Sequence, residues 1–239
     1  MNNLSVVIPI FEERKNIIKL INGIKKNIKI TKYEIIFVDD NSQDGTEEIL
    51  KKINKKNKKI KYFIRKEKTK DLSRSCMVGF NISKYKNILV MDGDLQHDPR
   101  DIKKLISNFM KKNADIVIGS RNLFKSKKNC MGHPFYRILA SKIFILTISF
   151  LFGKKTDDPM SGFFIFKKAI YIKNKRKLYG RGYKILFDLL YSSNKKLKVV
   201  DVDINFRARS IGTSKMNLKI LYILVLFIIK RNFSKYALW

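Results

Sequence analysis

Apolar residues in the first 120 positions fall into short unbroken runs, separated by longer stretches in which they recur every three or four residues. The runs LSVVIPI (4–10), YEIIFVD (33–39), IKYFIR (60–65), NILVMD (87–92) and DIVIGS (115–120) are continuous rather than alternating, which predicts strands buried on both faces. Helical periodicity fills 13–29, 46–57, 72–84 and 99–113 between them. A βαβαβα order of this kind predicts a Rossmann-like α/β fold, a mostly parallel sheet with helices on both faces. Ligands of such sheets bind beyond the carboxyl ends of the strands. Pro9, Asp39, Asp40, Asp92, Asp94 and Arg121 all fall at or just past those ends, so the pattern itself points to a site.

The second half is less regular. An apolar helix is expected over 134–152, then a loop GKKTDDPMSG, a strand FFIFKK, a helix GYKILFDLLYSS and a strand KVVDVDINF. A basic loop, RARSIGTSK (207–215), leads to a final helix from 216 to about 233. No internal repeat and no proline- or glycine-rich linker interrupts the chain, so one domain over 1–215 with a C-terminal helical appendage over 216–239 is expected. The apolar stretch 220–229 is shorter than the roughly 20 residues that a spanning helix needs, and Lys230 and Arg231 end it. The stretch 138–152 is also short and contains Lys142. Neither predicts a span; the last helix is expected to lie in a membrane interface, with its basic flanks on an anionic leaflet.

Composition narrows the classes. A chain of 239 residues with 45% hydrophobic content can bury a real core, which excludes wholesale disorder. Two cysteines in unlike contexts, Cys76 and Cys130, exclude a disulfide framework and a cysteine zinc site and fit a reducing compartment. Residues 1–5 run straight into an apolar strand with no basic region ahead, so no signal peptide is expected. The net charge of +32 suits nucleic acid, an anionic membrane or phosphate-bearing substrates. Runs such as KKINKKNKKIKY also read as solvated surface, and no nucleic-acid motif accompanies the charge, so no nucleic-acid partner is expected.

Against that basic background, the acidic stretches stand out. In LVMDGDLQHDP (89–99) two carboxylates lie one glycine apart at a strand end. They aim the same way only if the backbone turns, which Gly93 permits, and so close they repel unless a cation joins them. Oxygen ligands without thiolate favour Mg²⁺ or Mn²⁺, and Gln96 could add a carbonyl oxygen. A surface turn is the bland reading of the same residues. In VDDNSQDGT (38–46), Asp44 and Gly45 suffice for a strand-to-helix turn, whereas Asp39 and Asp40 exceed what it requires and could accept hydrogen bonds from a base or ribose. In VVIPIFEE (6–13), Phe11 and Glu13 open the next loop, where an aromatic ring can flank a base.

These stretches together resemble the family 2 GT-A glycosyltransferases, and among them the polyprenyl-phosphate (dolichyl-phosphate) mannosyltransferases. The resemblance rests on PIFEE, with Glu12 where Asn is usual, on VDDNSQDGT, and on DGDLQHDP. GSR at 119–121, DPMSGF at 158–163, GYKIL at 182–186 and R-x-x-G-x-S-K at 209–215 complete it, in order, over 4–215. KTKDLSRS (68–75) departs from the family, many of whose members carry a glycine-rich stretch there.

The resemblance implies the GT-A fold and a nucleotide pocket lined by Pro9, Phe11, Glu13, Asp39, Asp40 and Asp92. It implies Mg²⁺ or Mn²⁺ held by Asp92, Asp94 and Gln96, and phosphates met by Arg121, Arg137, Ser141, Arg209 and Lys215. Arg137 and Ser141, four apart, share one helix face. Asp94, Arg121, Arg209 and Lys215 would carry catalysis. The implied reaction is inverting transfer of mannose from GDP-mannose to a polyprenyl phosphate. That acceptor is already anionic, so no strong base is needed; His97 and His133 are expected to be structural, and Asp188 is not expected to be a base. UDP-glucose or UDP-N-acetylhexosamine is the rival donor. A basic RNA-associated or scaffold protein on a degenerate fold is the reading from another class, although the acidic pair, Arg209 and Lys215 are all present. The expected setting is the cytoplasmic face of a membrane, peripheral or monotopic, with the bilayer surface and a small membrane protein as partners.

Overall fold

The computed structural model describes residues 3–67, 69–121, 135–182, 185–193 and 196–207, the side chains at 135–137 and 140 excepted. The expected final helix over 216–233 lies outside the described residues.

Seven strands form one sheet in the order β3-β2-β1-β4-β6-β5-β7. They are β1 (Asn3–Ile10), β2 (Lys32–Asp39), β3 (Ile60–Ile64), β4 (Asn87–Val90), β5 (Ile116–Ser120), β6 (Phe164–Lys167) and β7 (Val199–Asp203). The continuous apolar runs do form the central strands: seven of the eight residues of β1 are buried. Helices α1 (Ile17–Asn27), α2 (Thr46–Lys56) and α4 (Ile102–Lys111) cover one face, burying Ile17, Leu20, Ile24, Leu50, Ile102 and Leu105. Helices α3 (Leu72–Ile82), α6 (Lys168–Asn174) and α7 (Ile185–Ser192) cover the other, through Cys76, Phe80, Ile170, Leu186 and Leu189. Burial pushes the Cys76 thiol well above its ordinary pKa, as suits a core residue.

One strand breaks the parallel rule, and it shapes the site. β6 runs antiparallel to both β4 and β5, with Phe164 opposite Val90 and Ile118. Its amino end therefore lies where its neighbours' carboxyl ends lie, which brings DPMSGF to the ligand-binding rim. The other sheet pairings are parallel.

Two expectations shift. β4 stops at Val90 rather than at Asp92, so Asp92 stands in the loop as Asp94 does. Helix α6 was not legible, because AIYIKNKRK is lysine-rich and its buried Ile170 and Tyr171 are adjacent rather than periodic. The apolar helix appears as α5 (Phe135–Phe152). Ile145 and Ile148 turn inward, while Leu139, Ile143, Leu146 and Phe150 form an exposed stripe, Phe150 being 89% exposed. Among the described residues, no helix is long and apolar enough to cross a membrane.

The packing of α3 on the sheet makes a specific demand. A Cβ at Gly79 would stand 2.3 Å from Cγ1 of the buried Val7. Gly79→Ala should gain about 1 kcal/mol of helix propensity but lose more to overpacking, roughly 1–3 kcal/mol. A lowered urea midpoint is expected; an unchanged or raised one would mean that α3 does not lie this close to β1.

Candidate active site

The site is built where β1, β2, β4 and β5 run out. Each of the first three strands is followed by one residue in the left-handed region: Glu12 (φ 56°), Asn41 (φ 60°) and Leu95 (φ 62°). Non-glycine residues take such φ values at a cost and do so mainly at functional turns. Gly93 does not take one. Its lack of a side chain is required instead by packing, since a Cβ there would fall 2.5 Å from Cγ2 of Ile10. The turn expected at Gly93 spans Gly93 and Asp94, and Leu95 follows it with its positive φ.

The loops after β1 and β2 are stitched together. Ser42 donates to Asp39 through its hydroxyl at 2.5 Å and its N–H at 3.0 Å, and the Ser42 hydroxyl oxygen accepts from the N–H of Glu12 at 2.7 Å. Asp44 accepts from the N–H and hydroxyl of Thr46 and from the N–H of Arg14, which confirms it as a turn residue. Burial pushes Asp39 above its ordinary pKa, with both Ser42 hydrogen bonds opposing. Glu13 accepts from the side-chain amide of Asn16 at 2.6 Å. Phe11 carries the ammonium of Lys70 3.4 Å from its ring centre, a cation–π contact that covers one face of the ring.

Asp40 is more deeply engaged than its sequence position suggested. One oxygen accepts from Nη1 of Arg65 at 2.6 Å and the other from the N–H of Asp71 at 2.6 Å. Arg65 is fully buried and also donates to the carbonyl of Asp71 and the hydroxyl of Ser75. Burial raises the Asp40 pKa despite the Asp71 N–H and the Arg65 charge. Asp71, in the stretch where the family pattern fails, caps α3 through the N–H of Arg74 and accepts from the N–H of Gly182.

Asp92 and Asp94 lie at the middle of the rim. Asp94 is buried and accepts from the N–H of Gln96 at 3.0 Å. The Asp92 carboxylate, 31% exposed, lies 3.4 Å from Nε2 of His97. It packs onto Gly162, where a Cβ would fall 2.0 Å from Oδ2. His97 is wedged between the rings of Phe163 and Phe206, at 5.2 and 5.1 Å, which gives it the structural role expected of it. His133 lies outside the described residues.

Arg121 faces this pair from the end of β5. Its Nε and Nη2 grip both oxygens of the buried Asp158 at 2.7 Å each, and its own N–H adds a third bond to that carboxylate. Burial works against the guanidinium charge, but Asp158, and beyond it Asp92, hold it above its ordinary pKa. The ring of Phe206 lies under it, 5.6 Å away. The sequence signal for Asp158 was its place in DPMSGF, to which no individual role was given.

A segment following β7 closes the rim. His97 pairs with Phe206 in an antiparallel bridge, the N–H of Arg207 donates to the carbonyl of Gln96 at 2.9 Å, and the Gln96 amide donates to the carbonyl of Arg207 at 3.1 Å. This strap precedes Arg209 and Lys215 in the sequence, and both lie outside the described residues. Ser141 is half-buried on α5; the side chain of Arg137 lies outside the described set. Asp188 accepts from the N–H of Gly180 and the hydroxyl of Ser192 and fixes a loop.

The donor set fits a hard divalent cation shared with a substrate. Among the described residues, no three His, Cys, Asp or Glu side chains cluster to hold a metal by themselves. Mg²⁺ and Mn²⁺ at phosphate sites usually take only one or two carboxylates and complete their shells with substrate oxygens and water. Asp92 and Asp94, the first partly exposed and the second buried, supply that number at the rim.

Comparison with known proteins bears on this arrangement. Residues 5–174 match the profile of Glycosyl transferase family 2. The chain is 38% identical, over 92% of its length, to a dolichol-phosphate mannosyltransferase of Pyrococcus furiosus, and spans 60% of that protein. It is 28% identical to the enzyme of the same name from Saccharomyces cerevisiae, over 91% of this chain and 82% of the yeast protein. The fold is similar, with a TM-score of 0.69 and 16% identity, to a glucosyl-3-phosphoglycerate synthase of Mycobacterium tuberculosis solved with Mn²⁺, UDP-glucose and phosphoglyceric acid, covering 98% of this chain and 79% of that one. The length and order of the matched residues, in a sheet of the same architecture, establish that this chain belongs to glycosyl transferase family 2.

Proposed function

We propose that this protein transfers mannose from GDP-mannose to a polyprenyl phosphate of the dolichyl type, with inversion at the anomeric carbon. One observation carries the reading: a carboxylate pair at the rim faces a guanidinium held rigidly by Asp158, with a basic strap arriving beside both. Likeness to two dolichol-phosphate mannosyltransferases supports the acceptor and the sugar.

The roles follow from the side chains. Asp39 and Asp40, whose oxygens already hold Ser42, Arg65 and the N–H of Asp71, would fix the walls of the nucleotide pocket, with Phe11 as a flat neighbour and Pro9 and Glu13 in the same loop. Asp92, Asp94 and Gln96 would hold Mg²⁺ or Mn²⁺, which when bound would neutralise the diphosphate of the leaving nucleotide. Arg121 presents charge that Asp158 prevents from swinging away, so no reorientation is needed as negative charge develops. Arg209 and Lys215, with Arg137 and Ser141 from α5, would receive the acceptor phosphate. That phosphate oxygen is the nucleophile and needs no proton removed, which leaves positioning and charge neutralisation as the work of the protein. The exposed stripe of α5 and the strongly basic surface would hold the enzyme against an anionic leaflet.

A panel of radiolabelled GDP- and UDP-sugars, assayed with polyprenyl phosphate and Mn²⁺, tests the reading. GDP-mannose should be the productive donor, EDTA should stop transfer, and Asp94→Ala should not recover when Mn²⁺ is restored. A UDP-sugar as sole donor would overturn the donor assignment, and full activity in EDTA the metal role. Arg121→Lys should lower kcat by about 10²-fold, because an ammonium cannot grip both Asp158 oxygens in a fixed plane. Wild-type kcat in that variant would show that rigidity at this position is irrelevant. Deleting residues 216–239 should reduce flotation with anionic vesicles; undiminished flotation would place the membrane contact elsewhere.

A further inference from the structure

The segment between β3 and α3 is clamped at both ends by one side chain. Asp40 takes Nη1 of Arg65 on one oxygen and the N–H of Asp71 on the other, at 2.6 Å each. Nη1 of Arg65 also reaches the carbonyl of Asp71 at 2.9 Å, and the N–H of Arg65 donates to the carbonyl of Asp39 at 2.9 Å. Lys70 stands one residue before the second clamp, so its exposed side chain springs from a held point. That side chain crosses to the loop after β1 and sets its ammonium 3.4 Å from the centre of the Phe11 ring.

Phe11 is the flat neighbour that the proposed nucleotide pocket offers to a base. The ammonium stands over the ring where a base laid on that face would lie. A cation–π contact at an exposed site is weak, and base–aromatic stacking is stronger, so an arriving base can displace the ammonium. The displaced group stays near the pocket, because its stem leaves the backbone beside the Asp71 clamp. Lysine brings donors and no acceptor. Guanine presents two adjacent acceptors, O6 and N7, whereas uracil presents one carbonyl on the corresponding edge. We infer that Lys70 is a nucleotide-contacting residue that yields the Phe11 face to the base and donates to its acceptor edge, favouring guanine over uracil. The inference deepens the proposed function and rests on its placing of the nucleotide beside Phe11.

Calorimetric titration of GDP and of UDP into the full chain with Mn²⁺ tests it. Lys70→Met keeps the apolar stem and removes the charge. It should weaken GDP about ten-fold, the order of one lysine contact to a base edge, and UDP by no more than about three-fold. Lys66→Met removes an equal charge from the exposed surface of the same segment and should change neither affinity. Phe11→Leu should weaken both nucleotides, because it removes the stacking surface. Unchanged binding by Phe11→Leu takes away the pocket reading and this inference with it, and wild-type protein that prefers UDP does the same to the donor assignment. Where Phe11→Leu does weaken binding, three results remove the inference alone. Unchanged or tighter GDP binding by Lys70→Met would make the lysine a surface contact or a plug. Equal losses for GDP and UDP would place it on the diphosphate, and an equal loss in Lys66→Met would reduce it to general surface charge.

Discussion

Buried negative charge at one edge of the sheet is the constraint to which the rest of the structure answers. The chain has 52 Lys and Arg against 20 Asp and Glu, yet Asp39, Asp40, Asp94, Asp98, Asp101 and Asp158 are all buried near the carboxyl ends of the strands. A carboxylate taken out of water destabilises the fold unless hydrogen bonds and opposite charge surround it. Each is accordingly met by an N–H, a hydroxyl or an arginine, and for Asp40, Asp98, Asp101 and Asp158 partners come from distant parts of the sequence. Arg65 reaches Asp40, Arg121 grips Asp158 and Arg207 joins Asp98. The loops around the site are thereby fixed to one another through the charges that chemistry there would use.

The antiparallel β6 is the topological device that makes this possible. A parallel strand in its place would enter from the opposite edge and carry DPMSGF away from the rim. Entering as it does, the chain sets Gly162 under Asp92 and Asp158 under Arg121 within a few residues. A small, a buried acidic and a hydroxyl residue in one turn therefore have separate reasons. Gly162 leaves room for a carboxylate, Asp158 orients a cation, and Ser161 ties the turn to the carbonyl of Gly119 at 2.6 Å.

Much of this was legible in the sequence, and the failures have physical causes. Unbroken apolar runs gave the five strands up to Ser120 to within a few residues, because burial on both faces leaves a strong signature. The rim position of the aspartates followed from where those runs stop. What one chain could not display was pairing across distance: nothing around Arg65 or Arg207 distinguishes them from the surface cations that dominate the composition. Burial alone marks Arg65, and a partner 109 residues away marks Arg207. Gly93 teaches a related lesson. Its place between two aspartates suggested a turn, which it does join with Asp94, but its lack of a side chain answers to Ile10 rather than to a positive φ. Helix α6 escaped notice because its lysines mask a short buried face.

The account stands or falls on whether the carboxylate pair takes a cation together with a nucleotide. A crystal of the full chain grown with Mn²⁺ and GDP, measured at the manganese edge, asks this without reference to turnover. The account predicts an anomalous peak in direct contact with oxygens of both Asp92 and Asp94 and with the diphosphate. A diphosphate bound elsewhere, or a rim without manganese whose two aspartates face water, would contradict it.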